Sequence, residues 1–198
     1  MTATHLLSVA QRNGERLLHL VNELLDMQNL SSGSFELRPD DVEVGDLVTQ
    51  ATEEARCYAS RFNVTLQPVL PPKAIGARLD GHRFKQVVSN FISNAAKFSN
   101  EGEAIRISLE QCENEICVAV TDHGRGIPSD FQDKIFRPFS QAAAASTRDR
   151  EGSGLGLAIS KEIVERMGGT IGFTSEPNVN TTFWFRIPIE RTDETSVA

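Results

Sequence analysis

Residues 5–30 carry apolar side chains at a repeat that one helix cannot satisfy alone. Leu6, Ala10, Asn13, Leu17, Leu20, Leu24 and Met27 advance in alternating steps of four and three. That spacing is a heptad seam. Leu7, Leu18, Val21 and Leu25 widen it into a bundle-type face. Such a face has to be covered, and no second long amphipathic helix follows nearby. Either the helix is one leg of a bundle whose other legs come from elsewhere, or it folds back onto its own domain.

Beyond Ser31-Ser32-Gly33-Ser34 the periodicity changes. Gly33 suits the left-handed residue that ends a helix. Phe35–Arg38 alternates like a short strand, and Asp46 is placed to cap a helix over about 47–61. Val64–Leu70 and Ala74–Leu79 read as strands on either side of Pro71-Pro72, and Asp80 opens the helix that follows. Ala104–Gln111 and Ile116–Asp122 alternate around Glu113-Asn114 and predict a hairpin. Pro128–Phe136 reads as a short helix, Gly154–Met167 as a longer one, and Gly169–Ser175 and Thr181–Ile189 as closing strands. Hairpin pairing mixed with helices points to an α+β two-layer sandwich preceded by one long helix. The last residues, 191–198, are expected to fray.

The function classes narrow by exclusion. Twenty Lys+Arg against 27 Asp+Glu leave a net charge of −7, which disfavours nucleic acid as a partner. No apolar run approaches the roughly 18 residues that cross a bilayer, and the first residues are too weakly apolar for a signal peptide. Cys57, Cys112 and Cys117 share no metal-ligand spacing and read as reduced thiols of a cytosolic chain. His5, His19, His82 and His123 are scattered and define no metal site.

Three polar motifs remain. Asn90 and Asn94 lie four apart on a helix, with Lys97 close to the same face and Val87, Val88, Phe91 and Ile92 opposite. Amide oxygens suit Mg²⁺, and an ammonium suits phosphate. Asp122 ends a strand and is followed by Gly124 and Gly126, so a carboxylate stands beside backbone that a flat ligand can approach. Gly152, Gly154 and Gly156 open a helix whose first amides and dipole favour anions, but in neither the P-loop nor the G-x-G-x-x-G pattern. Singly, a turn, a flexible helix entry and a solvated face account for these motifs. Together they supply a base contact, a metal ligand, phosphate contacts and, between them, a loose segment able to close: the inventory of an ATP site.

In this order the motifs resemble the catalytic domain of bacterial sensor histidine kinases, in the superfamily shared with gyrase B, the Hsp90 chaperone and MutL. Asn90 to Ser99 is similar to the N box, Asp122 to Ile127 to the G1 box, Ile135 to Gln141 to the F box, and Gly152 to Leu157 to the G2 box. The first helix resembles the second helix of the family's dimerisation and phosphotransfer hairpin. The resemblance implies a mixed-sheet Bergerat-type ATP-binding fold over 34–190, with 1–33 as part of the hairpin. It implies that Asp122 recognises the adenine amino group and that Gly124, Gly126 and Ile127 line that pocket. Asn94 would hold Mg²⁺ with Asn90 beside it, Lys97 would reach the phosphates, and Phe98 would pack near the nucleoside. Gly152, Ser153, Gly154, Leu155, Gly156 and Leu157 would surround the polyphosphate. A mobile lid would run from about Phe136 to Glu151, with Phe139 near the nucleotide and Gln141 and Arg148 approaching the terminal phosphate. Thr182 and Phe183 would close the adenine pocket from a late strand.

By the same resemblance, the intact protein moves the γ-phosphoryl of ATP to a histidine and then to an aspartate on a response-regulator receiver domain. It would act as a homodimer through the hairpin, with membrane attachment, if there is any, lying before Met1. The hydrolysing branches carry a glutamate at the place of Asn90, and an amide is a poor general base, so a kinase is favoured. Two departures stand out. No histidine of this chain has the neighbours of the family's phosphoacceptor, which places the acceptor outside the chain or makes the domain a nucleotide-dependent scaffold for another kinase. The late glycine-rich box is replaced by Pro177 to Thr182, where Asn tolerates the left-handed backbone that glycine would supply.

Overall fold

The computed structural model describes residues 14, 17, 18, 20–28, 36–141 and 153–189. A five-stranded mixed sheet has the order β2 (Thr65–Val69), β4 (Ala104–Cys112), β5 (Glu115–Asp122), β7 (Asn180–Pro188), β6 (Thr170–Glu176). Only β2 and β4 run parallel; the other pairs are antiparallel. A separate two-stranded ribbon pairs β1 (Asp40–Glu43) with β3 (Gly76–Leu79). Helices α2 (Val44–Ser60), α3 (Gly81–Phe98) and α5 (Gly156–Arg166) form the second layer, with a single turn, α4 (Ser129–Gln132), beyond β5. Residues 20–28 are helical and are here called α1.

Strand parity decides what faces the helices. Along β5 every second residue, Ile116, Val118, Val120 and Asp122, is buried, and β4 contributes Ile105, Ile107 and Leu109. On β7 the buried set is Thr181, Phe183, Phe185 and Ile187. Helix α3 meets it with Phe84 and Phe91, two turns apart on one face. Phe84 stands edge-on to Phe185 at 5.4 Å between ring centres, and Phe91 lies 5.4 Å from Phe183 and 5.9 Å from Phe185. The other sheet face is open. There the Trp184 indole lies over Gly172, whose missing Cβ makes the room, and the Arg186 guanidinium sits 5.4 Å from the Trp184 ring centre.

Several boundaries move relative to the sequence reading. Asp80 caps α3 as expected, its carboxylate accepting from the Arg83 amide at 3.0 Å. Asp46 does not cap α2. Glu43 does so from three residues earlier, accepting from the Asp46 amide at 2.6 Å and the Ile75 amide at 3.0 Å. The longer glutamate reaches both the helix and the neighbouring ribbon, which a capping aspartate at 46 could not. The first strand is Asp40–Glu43, not Phe35–Arg38, of which residues 36–38 are irregular. The short helix after Pro128 spans only Ser129–Gln132, and the long one begins at Gly156.

Helix α1 is tied to the domain by an ion pair at one end. Asp26 accepts from Arg83 Nη1 at 2.8 Å and from Gln86 Nε2 at 2.7 Å, and Met27 packs on the core. Above that joint Leu17, Leu18, Val21, Leu24 and Leu25 are all about half exposed or more. The seam positions Leu6, Ala10 and Asn13, together with Gly33, lie outside the described residues. The ion pair has both side chains largely shielded, at 20% and 16% exposure, where a charged hydrogen bond is worth roughly 1.5–3 kcal/mol. Asp26→Ala is therefore expected to speed amide hydrogen exchange across 20–28 by about tenfold or more while the sheet's slow amides stay unchanged. Unaltered exchange in 20–28 would show that the joint is held by other contacts.

Candidate functional site

The phase that Phe84 and Phe91 set on α3 turns Asn90, Asn94 and Lys97 roughly a quarter-turn or more away from the sheet, on the side of α5. Asn90 Nδ2 donates to Ser160 Oγ on α5 at 2.8 Å, and Asn94 Nδ2 reaches Asn90 Oδ1 at 3.4 Å. Gly156 lets the two helices close on this contact, since any Cβ there would strike the Asn90 carboxamide. Asn90 is thus committed between helices. Asn94 Oδ1 takes no protein partner among the described residues.

The Asp122 carboxylate ends β5 at the last buried position and is 3% exposed. Its Oδ1 accepts the Gly124 amide at 3.0 Å, and its other oxygen has no protein partner among the described residues. Burial raises its pKa from the ordinary 3.8 to about 6, against the Gly124 amide and nearby His123, which pull it down. The loop that follows is clamped on both sides. Asn100 Nδ2 donates to the His123 carbonyl at 2.7 Å, and Ser99 bridges to Gly124. The Asn178 amide donates to the Arg125 carbonyl at 3.0 Å and the Ile127 amide to Ser175 Oγ at 2.9 Å. A Cβ on Gly124 would strike the Phe98 carbonyl, and one on Gly126, at φ +73°, would lie 2.8 Å from Pro177 Cα. Asn178 adopts φ +60° in the turn that replaces the glycine-rich box, and the Val179 amide closes it on the Glu176 carbonyl at 3.0 Å.

At the other end, Gly154 has φ +74° and abuts Phe139 and Ser140, while Ser153 Oγ accepts the Leu155 amide at 3.0 Å. Helix α5 starts with no side-chain cap, so its first amides are left for another acceptor. Leu155 is buried and Leu157 packs on the core. Phe98 is flanked by two cations, Lys97 Nζ at 4.7 Å and Arg125 Cζ at 5.0 Å from its ring centre.

Some sequence-derived sites fall elsewhere. Thr182 does not share a face with Asp122: it pairs hydroxyl to hydroxyl with Thr121 at 2.9 Å on the open side of the sheet. The register places Thr181 opposite Asp122, and Thr181 is buried with Ser175 Oγ at 3.1 Å. The expectation was one residue out along a strand, which inverts the face. Phe183 is on the helix side. Phe139 is 68% exposed at φ +59° and faces α1, where Leu17, Leu20, Val21 and Leu24 join Phe139, Ser153 and Leu155 around an apolar groove of about 340 Å³. Phe136 goes inward instead, 6.0 Å from Phe173 and 6.4 Å from Phe183. Gln141 is exposed, and Arg148, Gly152 and the lid over 142–151 lie outside the described residues. Sequence reasoning missed Ser160, a polar residue on the apolar face of α5, and gave no role to Ser99, the last residue of the N box match, whose hydroxyl is buried without a hydrogen-bond partner among the described residues.

Comparison with known proteins gives the family. The family model described as "Histidine kinase-, DNA gyrase B-, and HSP90-like ATPase" matches residues 79–191. The chain belongs to that family. It is 34% identical over 189 residues to the sensor protein EvgS of Escherichia coli K12, covering 93% of this chain and 16% of EvgS. Full-length ShkA in complex with AMPPNP superposes with a TM-score of 0.81 at 27% identity, over 96% of this chain and 40% of that one. The nucleotide-free catalytic domain of histidine kinase ThkA superposes with a TM-score of 0.66 at 27% identity, over 77% of this chain and 96% of that one. The chain thus spans about a sixth of the length of EvgS. Its five-stranded sheet with one preceding helix is the α+β fold of these catalytic domains, and the family is one of ATP-binding domains. The residues present fit ATP: a buried carboxylate with an oxygen to spare, glycines where any Cβ would clash, and uncapped amides at α5. No helix among the described residues is long and apolar enough to cross a membrane.

The raised pKa of Asp122 has a defined sign. The fold holds this proton more tightly than the unfolded chain does. The associated stability is complete below about pH 4 and is lost as pH rises through about 6. Asn keeps the neutral form and can still accept from Gly124. Asp122→Asn is expected to stabilise the ligand-free protein by about 3 kcal/mol at pH 8 and by little near pH 4 in urea unfolding. A gain independent of pH would refute burial as the source.

Proposed function

We propose that this chain is the ATP-binding catalytic portion of a two-component sensor histidine kinase. The γ-phosphoryl of Mg²⁺-ATP goes to the nitrogen of a histidine outside this chain, for relay to an aspartate of a response-regulator receiver domain. The observation that carries the reading is the Asp122 carboxylate, buried and short of a partner at the mouth of a loop where Gly124 and Gly126 leave no room for side chains. Such a group recognises an exocyclic amine. When bound, Mg²⁺ neutralises charge on the phosphate oxygens; Asn94 is the side chain that would hold it, with Asn90 alongside. The amides at Gly154 and Gly156 would hold the phosphates, joined by that of Leu155 once it leaves Ser153 Oγ. Lys97, which lies over Phe98, would reach the phosphates. The domain's work is positioning and charge neutralisation. The names of the relatives support the histidine kinase assignment, and the AMPPNP complex of ShkA supports the nucleotide. Asn90, an amide engaged with Ser160, offers no base to activate water, which favours transfer over hydrolysis.

Calorimetric titration with ATP and Mg²⁺ tests the pocket. Asp122→Asn and Asn94→Ala are each expected to weaken binding by about tenfold or more, with the Asn94 loss confined to the Mg²⁺-containing titration. Wild-type binding that neither substitution weakens would place the nucleotide elsewhere. Kinase action is then read by supplying a separate hairpin that carries the acceptor histidine. Acid-labile label on that hairpin is expected, and binding without any label would leave the scaffold reading.

We further infer that residues 1–33 are part of the dimerisation and phosphotransfer hairpin and that 34–190 form the catalytic domain, working on the cytoplasmic side. The exposed row of Leu17, Leu18, Val21, Leu24 and Leu25 supports a homodimer through this helix. The double substitution Leu18→Glu with Leu25→Glu is expected to shift sedimentation velocity profiles toward monomer with no change in nucleotide affinity. Identical profiles for the two proteins at the same concentrations would exclude the helix as the contact.

A further inference from the structure

A single hydroxyl interrupts the buried side of α5. Among its buried residues Ala158, Ile159, Ser160, Ile163 and Val164, only Ser160 is polar, and it is 1% exposed. An alanine there would pack nearly as well and bring no polar atom to satisfy, so the hydroxyl is explained by its partner. That partner is the Asn90 carboxamide, whose Nδ2 donates to Ser160 Oγ at 2.8 Å. One turn earlier on α5, the place of a Cβ on Gly156 is taken by Asn90 Oδ1. The two α5 residues thus hold opposite ends of one amide. From Asn90 Oδ1 the row continues to Asn94 Nδ2 at 3.4 Å, and Asn94 Oδ1 is left without a protein partner among the described residues.

The two ends of a carboxamide differ in chemistry but hardly in shape, so hydrogen bonds rather than packing choose between them. An Asn94 that offers its oxygen to a cation has its NH2 turned to Asn90, and that NH2 needs an acceptor. Asn90 accepts with Oδ1, which leaves its own NH2 facing α5 and in need of an acceptor in turn. Ser160 Oγ is that acceptor. In the reverse arrangement Asn90 would give its NH2 to Asn94 Oδ1. Asn94 would then present N–H groups to the cleft, where they oppose a cation.

We propose that Ser160 is a positioning residue for the metal–nucleotide complex. By accepting from Asn90 it fixes the Asn90 amide and, through it, turns the oxygen end of Asn94 to the cleft. This role rests on the reading of Asn94 as the side chain that holds Mg²⁺. Ser160, with almost no exposed surface, acts only through Asn90. Partners placed behind a metal ligand in this way typically change metal affinity by about tenfold or more when removed.

Two measurements on the full chain test this. The first needs neither metal nor nucleotide. In isotope-labelled protein, Ser160→Ala is expected to move the side-chain NH2 resonances of Asn90 and of Asn94, because the row loses its terminal acceptor. An Asn94 pair that stays in place would show that Ser160 has no hold on it, and would overturn the proposal. The second is calorimetric titration with ATP, with and without Mg²⁺. Ser160→Ala is expected to cut the gain in affinity that Mg²⁺ brings by about tenfold and to leave Mg²⁺-free binding unchanged. In an Asn90→Ala background the same substitution is expected to have no further effect, since the residue it acts through is gone. An undiminished gain in Ser160→Ala overturns the role of Ser160 alone. So does a loss equal with and without Mg²⁺, or one that persists in the absence of Asn90, since either makes Ser160 a packing residue. Failure of the underlying site reading looks different: the wild type itself then gains nothing from Mg²⁺, and the assignments of Asn94 and Ser160 fall together.

Discussion

The packing of Phe84 and Phe91 on Phe183 and Phe185 determines the orientation of everything that follows. Two rings a double turn apart on α3 cannot both stay on β7 if the helix rotates about its axis. That fixed phase carries Asn90 and Asn94 to the side of α5, where Gly156 admits the Asn90 carboxamide and Ser160 receives it. The polar row is therefore aimed by apolar contacts on the neighbouring face of the same helix. Asp122 is aimed in the same way, as the last member of a buried strand series that is otherwise Ile116, Val118 and Val120.

Placing a carboxylate in that series works against the stability of the empty fold, because burial penalises its charge. Ser99, with a buried hydroxyl left without a hydrogen bond, adds to the cost nearby. The two unsatisfied groups adjoin the same loop, since Ser99 bridges to Gly124 and Asp122 accepts its amide. A core as well filled as the one under β5 and β7 can carry such groups, and their concentration at one loop is what distinguishes a binding cleft from an ordinary turn.

The elements legible in the sequence were those whose signal is local. Alternation gave away the β4–β5 hairpin, and Asp80 announced α3 because a short acidic side chain next to a helix start has few other uses. The four motifs could be ordered because each is contiguous. What stayed hidden depended on partners distant in the chain. Glu43 caps α2 by reaching Ile75 as well as Asp46, and nothing in the helix itself shows the ribbon it leans on. Thr182 and Thr181 differ by one residue, and only the pairing with β5 shows which of them stands across from Asp122. Phe136 and Phe139 are both aromatic and three apart, yet the positive φ at Phe139 turns one outward to α1 while the other joins Phe173 and Phe183. Ser160 became meaningful only once Asn90 was opposite it.

The placement of Trp184 has an optical consequence. It is the sole tryptophan of the chain, and it lies on the open sheet face over Gly172 with Arg186 beside it, whereas the cleft is on the helix side. Its emission is shaped by that guanidinium and by the solvent over the sheet, with a whole layer of strands between the indole and any nucleotide. The protein therefore carries a built-in fluorophore that registers loss of the sheet and is nearly blind to occupancy of the cleft.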